Sequence, residues 1–278
     1  MTSTSFPDER PIAERRRRIV LLIQYDGTDF RGWQVQPNTR TVSSVLKASL
    51  ERLFRETHCP SSTSRTDSGV HALGLPVTLK TDRDIRLIGI VRGLNTFLPD
   101  DLSIRVAADV DDDFHIRHDA IGKRYIYRIH NGRVRSAKSR RTHWLVKVPL
   151  NVEAMQRAAQ GLVGEHDYSS FRAAACQASH PVRRIESITV EALADGDIEI
   201  TVIGNAFLQH MVRIVVGTLV EVGRGHESES FPAEALAARA RPAAGPTAPG
   251  LGLELSRVFY DPDPFCGDTA WPPGLILD

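Results

Sequence analysis

The run Ser64-Arg65-Thr66-Asp67-Ser68-Gly69-Val70-His71-Ala72 sets a carboxylate one residue before a Ser-Gly pair and two residues after an arginine. Ser-Gly is turn chemistry, so Asp67 is expected where a strand or loop bends. A short acid on a tight bend can point into a cleft while the turn holds its backbone. Arg65 nearby favours the ionised form, because an opposite charge stabilises a carboxylate. Read alone, the segment is first of all an ordinary surface turn, which is the stronger reading. Arg213 is the second candidate. It lies in Phe207-Leu208-Gln209-His210-Met211-Val212-Arg213-Ile214-Val215-Val216-Gly217, apolar on most of its helical circumference. A guanidinium buried there needs a partner, and Asp67 is one candidate. The competing reading is an arginine snorkelling to the helix surface. Tyr125 is the third. It opens an alternating strand inside a basic segment, where a ring can stack a base and its hydroxyl reach a polar group. In isolation it also reads as a core tyrosine with a satisfied hydroxyl.

Other chemistries lack their residues. His71, His115 and His210 have no metal-ligand spacing, and the chain carries no H-E-x-x-H, no C-x-x-C and no phosphate-cradling glycine loop. No serine sits in a nucleophile elbow. The expectation is a protein with no metal and no nucleotide cofactor. Cys59, Cys176 and Cys266 are far apart and odd in number, which argues against a disulfide framework and for a reducing cytoplasm. Asp8, Glu9 and Glu14 stand where a signal peptide would be apolar. The longest apolar helical stretch, near 206–223, is broken by His210, Arg213 and Glu221, so no membrane span is expected.

Global charge is nearly balanced, with 35 Lys and Arg against 34 Asp and Glu. Its distribution is not. Residues 115–141 hold Arg117, Lys123, Arg124, Arg128, Arg133, Arg135, Lys138, Arg140 and Arg141 against the single acid Asp119. Such a patch neutralises phosphates even on a neutral protein. His115, His118 and His130 add to it when protonated.

The elements that must position these groups follow from hydrophobic period. Residues 19–25 read as a buried strand ended by Asp26-Gly27, and Thr41 caps a helix carrying Val42, Val45, Leu46, Leu50, Leu53 and Phe54. A strand over 70–80 interrupted by Pro76, a helix over 85–95 and a strand near 102–107 follow, with room for one more strand near 60–66. The second half repeats the order. Residues 123–130 alternate with Tyr125, Tyr127 and Ile129 on one face. Asn151 caps a helix, strands near 185–192 and 198–203 form a hairpin around Asp195-Gly196, a helix covers 206–223 and a strand covers 253–260. Residues 242–252 read as a loop. The predicted class is α+β: two split βαβ (ferredoxin/RRM-like) halves forming a continuous antiparallel-rich sheet, helices on one side and a central active-site cleft. The expected division is a disordered basic tail over 1–18, an N-terminal half over 19–114 carrying Asp67, a C-terminal half over 115–262 with the basic segment, and a tail over 263–278.

Five ordered segments together resemble the TruA-type tRNA pseudouridine synthase family, from about Ile19 to Tyr260. They are Tyr25-Asp26-Gly27-Thr28-Asp29-Phe30-Arg31-Gly32-Trp33-Gln34; Arg65 to Ala72; Phe114-His115-Ile116-Arg117 with Lys123-Arg124-Tyr125; Gly164-Glu165-His166-Asp167-Tyr168-Ser169-Ser170-Phe171-Arg172; and Asn205 to Arg213 followed by Ala244-Gly245-Pro246-Thr247-Ala248-Pro249. The sequence departs from the family at Ser62-Thr63-Ser64, where Gly-Ala-Gly is usual, and at Gly74-Leu75-Pro76-Val77, Thr41-Val42-Ser43 and Phe114-His115-Ile116-Arg117-His118.

The resemblance implies isomerisation of uridine to pseudouridine at positions 38–40 of the tRNA anticodon stem–loop, by a cytoplasmic homodimer without cofactor or metal. It implies an essential aspartate at Asp67, an arginine at Arg65 that helps extrude the nucleotide, a stacking tyrosine at Tyr125 and an arginine paired with the aspartate at Arg213. Phe114, His115, Ile116, Arg117, His118, Lys123, Arg124, Arg172, Cys176 and Gln177 make up the implied substrate- and RNA-binding set. Arg183 and Arg184 join Arg172 and the basic segment as expected phosphate contacts. Two rival readings stay open at this point. One is a paralogue making pseudouridine from another uridine substrate, such as a free nucleotide in C-nucleoside biosynthesis, which the altered loop before Asp67 would suit. The other is a non-catalytic tRNA-binding protein on the same scaffold.

Overall fold

The computed structural model describes residues 17–265. Residues 1–16 of the expected tail over 1–18, and residues 266–278 of the expected tail over 263–278 with Cys266, lie outside the described residues. Backbone packing divides the chain into two compact units, one running to Ile121 and resuming at Arg257, the other spanning Gly122–Ser256. Both are mixed α/β and mostly antiparallel, as the pattern predicts.

In the first unit β1 (Arg17–Tyr25) runs between β3 (His71–Thr81) and β4 (Leu102–Val110), antiparallel to both. Ile19 to Ile23 are buried without alternation, the signature of a strand covered on both faces. The strand starts earlier than expected. Arg17 and Arg18 belong to the ladder, with Arg17 Nε 2.7 Å from Asp109 Oδ1 and Arg18 donating to the Phe114 carbonyl. They are therefore tied to the fold, not part of a solvated cluster before it.

The two-residue β2 (Ser61–Ser62) fills the space expected near 60–66 by pairing with Val77 and Thr78 of β3. Pro76 does not interrupt β3. It sits opposite Leu22, and its carbonyl accepts from Thr63 N at 3.3 Å. Proline lacks only a donor and its fixed φ suits extended backbone, so the strand passes through it.

Helices α1 (Val42–Phe54) and α2 (Leu87–Phe97) pack together where Gly93 faces Leu53, and α2 lies on β4. Thr41 caps α1 as expected. Its side-chain oxygen accepts from Ser44 N at 3.3 Å and its own N–H donates to Ser44 Oγ at 3.2 Å, a reciprocal box.

In the second unit the strand order is β5 (Ala120–Asn131), β9 (Asp197–Gly204), β8 (Val182–Ala192) and β7 (Gly164–Asp167), each antiparallel to its neighbour. The first two residues of β5 close the first unit. The short β6 (Trp144–Val146) runs parallel to the end of β5. The β8–β9 hairpin turns at Asp195, which has φ 60°, and Gly196.

Helix α3 (Val152–Ala159) is capped by Asn151, whose Oδ1 accepts from Ala154 N at 3.0 Å, and it packs on β8 and on α4 (Met211–Gly223). Helix α4 starts five residues later than the apolar run suggests. His210 takes the left-handed conformation, with φ 64°, and Asn205 Oδ1 accepts from Arg184 N and Ala206 N, so 205–210 are held as a loop. Helix α5 (Phe231–Ala238) was not expected. Strand β10 (Leu253–Tyr260) has its expected bounds, Leu253–Ser256 belonging to the second unit and Arg257–Tyr260 to the first. No helix among the described residues is long and apolar enough to cross a membrane.

Replacing Thr41 with alanine removes the acceptor for Ser44 N at a fully buried cap. Thr41→Ala is expected to lower stability by about 1 kcal/mol in urea titration, with Thr41→Ser close to the parent.

Candidate active site

The residues around Asp67 form a turn held from below by buried partners. Val70 N donates to Asp67 O at 3.2 Å, closing the bend, and Gly69 supplies φ 76°. Thr66 is buried, and its hydroxyl meets Tyr25 Oη at 2.8 Å. Trp33 N donates to Thr66 O at 3.1 Å and Gly69 N to Phe30 O at 3.3 Å. The segment 25–33 is thus a cradle for 66–70.

The approach is too close for side chains. A Cβ on Gly27 would stand 2.0 Å from Val70 O, and one on Gly32 2.6 Å from Thr66 O, with φ at Gly32 already +83°. Gly27 N also donates to His71 Nδ1 at 3.0 Å. The outcome is an alternation along the turn: Arg65 exposed, Thr66 buried, Asp67 half-buried, Ser68 exposed. Asp67 is therefore on a bend, as expected, and its backbone is clamped on both sides.

Of the three residues that replace the family's small lead into this turn, Ser62 and Thr63 satisfy their hydroxyls, while Ser64 Oγ is buried without a hydrogen-bond partner among the described residues. Ser62 Oγ donates to Ser64 O at 2.8 Å, and Thr63 Oγ1 lies 2.9 Å from Tyr260 Oη. Tyr260 in turn donates to Ile116 O at 2.8 Å, so its hydroxyl accepts from Thr63. Burial pushes the Tyr260 phenol well above its ordinary range, and it stays a donor. Arg117 Nε donates to Ser62 O at 2.9 Å, and the Phe114 ring lies 5.6 Å from that of Tyr260. Within the first unit, 62–64 and 114–117 are one cluster. Ile116 is buried in it, while His115, Arg117 and His118 are exposed. Asp119 Oδ2 accepts from His115 N at 2.8 Å and closes that loop.

In the second unit Tyr125 pairs with Val202 of β9, and its ring meets the edge of Phe207 at 5.2 Å. It is 8% exposed. Arg124 Nε donates to Ser256 Oγ at 3.0 Å, and Lys123 pairs with Gly204. Arg213 lies one turn into α4 and is only half-buried, although most of that helix is buried. Its Nε donates to Ala248 O at 2.7 Å, and its carbonyl accepts from Ala248 N at 3.0 Å. The loop that supplies Ala248 packs on the helix at Gly217, where a Cβ would stand 1.8 Å from Pro246 O.

Arg172 follows the short 3₁₀ turn Ser169–Phe171 and is half-buried. Ala173 N donates to Gln209 O at 3.0 Å, which brings 172–176 beside the start of α4; Cys176 is half-buried and Gln177 exposed. Arg183 is less suited to phosphate than expected. Its Nη1 donates to the carbonyls of His180 and Val182, and burial lowers its basicity.

The basic loop keeps its cations outside. Arg133, Arg135, Lys138, Arg140 and Arg141 are exposed. Its base is fixed by Asp197, which lies 2.6 Å from His130 Nδ1 and 3.5 Å from His143 Nε2. Among the described residues no group of three or more His, Cys, Asp or Glu could hold a metal ion, and Cys59 and Cys176 are free thiols.

The family model described as tRNA pseudouridine synthase matches residues 21–119 and 158–261, which include the Asp67 turn with its cradle and the Arg213 helix with its loop. The chain belongs to the tRNA pseudouridine synthase family. It is a pseudouridine synthase, an isomerase. The tRNA pseudouridine synthase A of Myxococcus xanthus is 48% identical over 261 residues, covering 94% of this chain and 97% of its own. That of Geotalea daltonii is 44% identical over 244 residues, covering 88% and 100%. A solved Cbf5-Nop10-Gar1 complex aligns at TM-score 0.35 and 14% identity; the match covers 88% of this chain and 59% of the solved one.

Sequence reasoning singles out Asp67, Arg65, Tyr125 and Arg213, gives Gly27 only a turn, and assigns no role at the site to Gly32, Gly217 or Tyr127. The glycines stand inside the quoted motifs, and their density there was the available signal. In this synthase Gly32→Ala forces a β-carbon against the backbone of Thr66. It is expected to cost about 1–3 kcal/mol of stability. At temperatures where the variant stays folded, the pseudouridine-forming rate should fall about 10²-fold, because the turn carrying Asp67 is displaced.

Proposed function

We propose that this synthase converts uridine to pseudouridine in the anticodon stem–loop of tRNA, at positions 38–40, as a cytoplasmic homodimer needing no cofactor. The observation that carries the reading is the clamped turn, which presents a half-buried carboxylate on a backbone that cannot relax. The names of the relatives support tRNA as the substrate and do not favour the free-nucleotide alternative.

The chemistry accounts for the residue types. The N1–C1′ bond breaks, the uracil rotates, C5 bonds to C1′, the C5 proton leaves and N1 gains one. Asp67 acts at the sugar, by attack at C1′ or by assisting removal of the 2′ hydrogen. Either route needs the ionised acid, and Arg213 is the arginine that the family resemblance pairs with it. The target base must leave its stack, at a cost of roughly a few kcal/mol. Arg65, exposed beside Asp67, fills the vacated space, and Tyr125 stacks the extruded base. Its hydroxyl takes part in removal of the C5 proton, directly or through water. The cations of the 133–141 loop with Lys123, Arg124, Arg117 and Arg172 hold the phosphates, and Phe114, His115, Ile116, His118, Cys176 and Gln177 line the RNA path.

Three outcomes follow. Asp67→Asn should reduce tritium release from [5-³H]uridine-labelled tRNA to background while tRNA binding and melting temperature stay at the parent values; near-normal turnover would exclude Asp67. Labelled UMP should release nothing, and release from UMP alone would replace the tRNA reading with the free-nucleotide one. Tyr125→Phe should slow the single-turnover rate by about 10²-fold with a much smaller change in tRNA affinity. An unchanged rate would remove the hydroxyl from the chemistry.

A further inference from the structure

Tyr127 stands two residues beyond Tyr125 on the same face of β5, and it is fully buried. Its hydroxyl donates to Pro249 O at 2.8 Å. Its ring meets Trp144 edge-on, with centroids 6.3 Å apart, and lies so close to Gly252 that a Cβ there would stand 2.6 Å from ring carbons Cε1 and Cζ. Pro249 is the residue after Ala248, whose carbonyl holds Arg213 Nε and whose N–H returns to the Arg213 carbonyl. The same loop is pinned upstream. Thr218 Oγ1 accepts from Gly245 N at 3.0 Å and donates to Ile214 O at 2.8 Å, and Gly217 leaves no room between α4 and Pro246.

The loop 244–252 therefore meets α4 at its start and middle and meets Tyr127 at its end. A guanidinium whose Nε is committed to one carbonyl has its plane set by that carbonyl. Its Nη pair then forms the remaining donor edge. The position of Ala248 O decides where that edge lies.

We infer that Tyr127 is a positioning residue for the synthase reaction, its hydroxyl anchoring the 244–252 loop so that Ala248 O fixes the Arg213 guanidinium. The inference rests on the reading of Arg213 as the arginine paired with Asp67. The phenol suits the task. Burial raises it far above its ordinary range, the nearby charge of Arg213 acting in the smaller, opposite sense, so it donates at every working pH. Phenylalanine would keep the ring contacts and lose only the anchor. The effect should appear in the chemical step, because the Tyr127 side chain is fully buried.

The test is a double-mutant cycle on unmodified tRNA under single-turnover conditions, with Tyr127→Phe, Arg213→Lys and the pair. Tyr127→Phe should slow the chemical step about ten-fold, leave KM within about two-fold, and leave the Arg213→Lys variant no slower when combined with it. Placing 4-aminophenylalanine at 127, which restores an N–H donor at the same place, should recover most of the rate. A Tyr127→Phe enzyme as fast as the parent overturns the inference. So does a double variant slowed by the product of the two single effects, or a rate loss accompanied by a lowered melting temperature that 4-aminophenylalanine does not restore. An Arg213→Lys enzyme as fast as the parent overturns the underlying reading of Arg213, and the anchor falls with it.

Discussion

The first unit depends on two stretches of backbone approaching more closely than side chains permit. The segment 25–33 and the turn 66–70 touch through Gly27, Gly32 and Gly69, and each contact is made by main-chain atoms. Such an approach sacrifices side-chain packing and accepts a left-handed φ at Gly32 and Gly69. In return the turn has few degrees of freedom left when the chain is folded. A carboxylate on a mobile loop would have to be ordered at each encounter with substrate. Here the ordering is completed on folding, by hydrogen bonds from Trp33, Gly69 and Val70 and by the buried Tyr25–Thr66 contact.

The second unit solves a different problem, that of an arginine in an apolar helix. Helix α4 has no polar neighbours of its own to offer Arg213. A carbonyl from the following loop supplies one at 2.7 Å, and that loop is seated where Gly217 and Gly245 allow close contact. The placement leaves Arg213 half-buried, between the fully sunk and the snorkelling alternatives that the sequence allows. Of the hydroxyls of Ser62, Thr63 and Ser64, where the family usually has Gly-Ala-Gly, the first two show the same economy and Ser64 Oγ is left buried without a partner among the described residues. Ser62 and Thr63 spend their groups inside the protein, on Ser64 O and on Tyr260, so the substitution alters the wall of the turn without leaving those hydroxyls stranded.

Strong periodicity was legible and backbone geometry was not. Leu253–Tyr260 and the Asp195-Gly196 hairpin alternate plainly, and Thr41 and Asn151 carry recognisable caps. The start of α4 was misread because Ala206, Phe207 and Leu208 are as apolar as the helix they precede. The left-handed His210 and the bonds of Asn205 that set them apart leave no hydrophobic signal. Pro76 was weighed as a breaker because a missing donor is visible in sequence, whereas the partner that makes it harmless, Thr63 N, is not. Helix α5 escaped notice in an alanine-rich stretch with little period, and β7 in four mostly polar residues. At the site, the bend at Asp67 is legible in its Ser-Gly chemistry, while a role for its carboxylate comes only from the family resemblance. The cradle beneath it is made of main-chain contacts between distant segments, which residue spacing does not encode.

Tyr260 bonds to Thr63 and Ile116, and it lies on a strand whose last four residues return to the first unit after a complete second unit has intervened. A chain emerging from the ribosome therefore releases Thr63 and Ile116 well before the hydroxyl that joins them. The wall behind the Asp67 turn stays unsealed through the synthesis of some 135 intervening residues, and at the usual rates of elongation that is on the order of ten seconds. The closing stitch of the first unit thus waits on translation of the second.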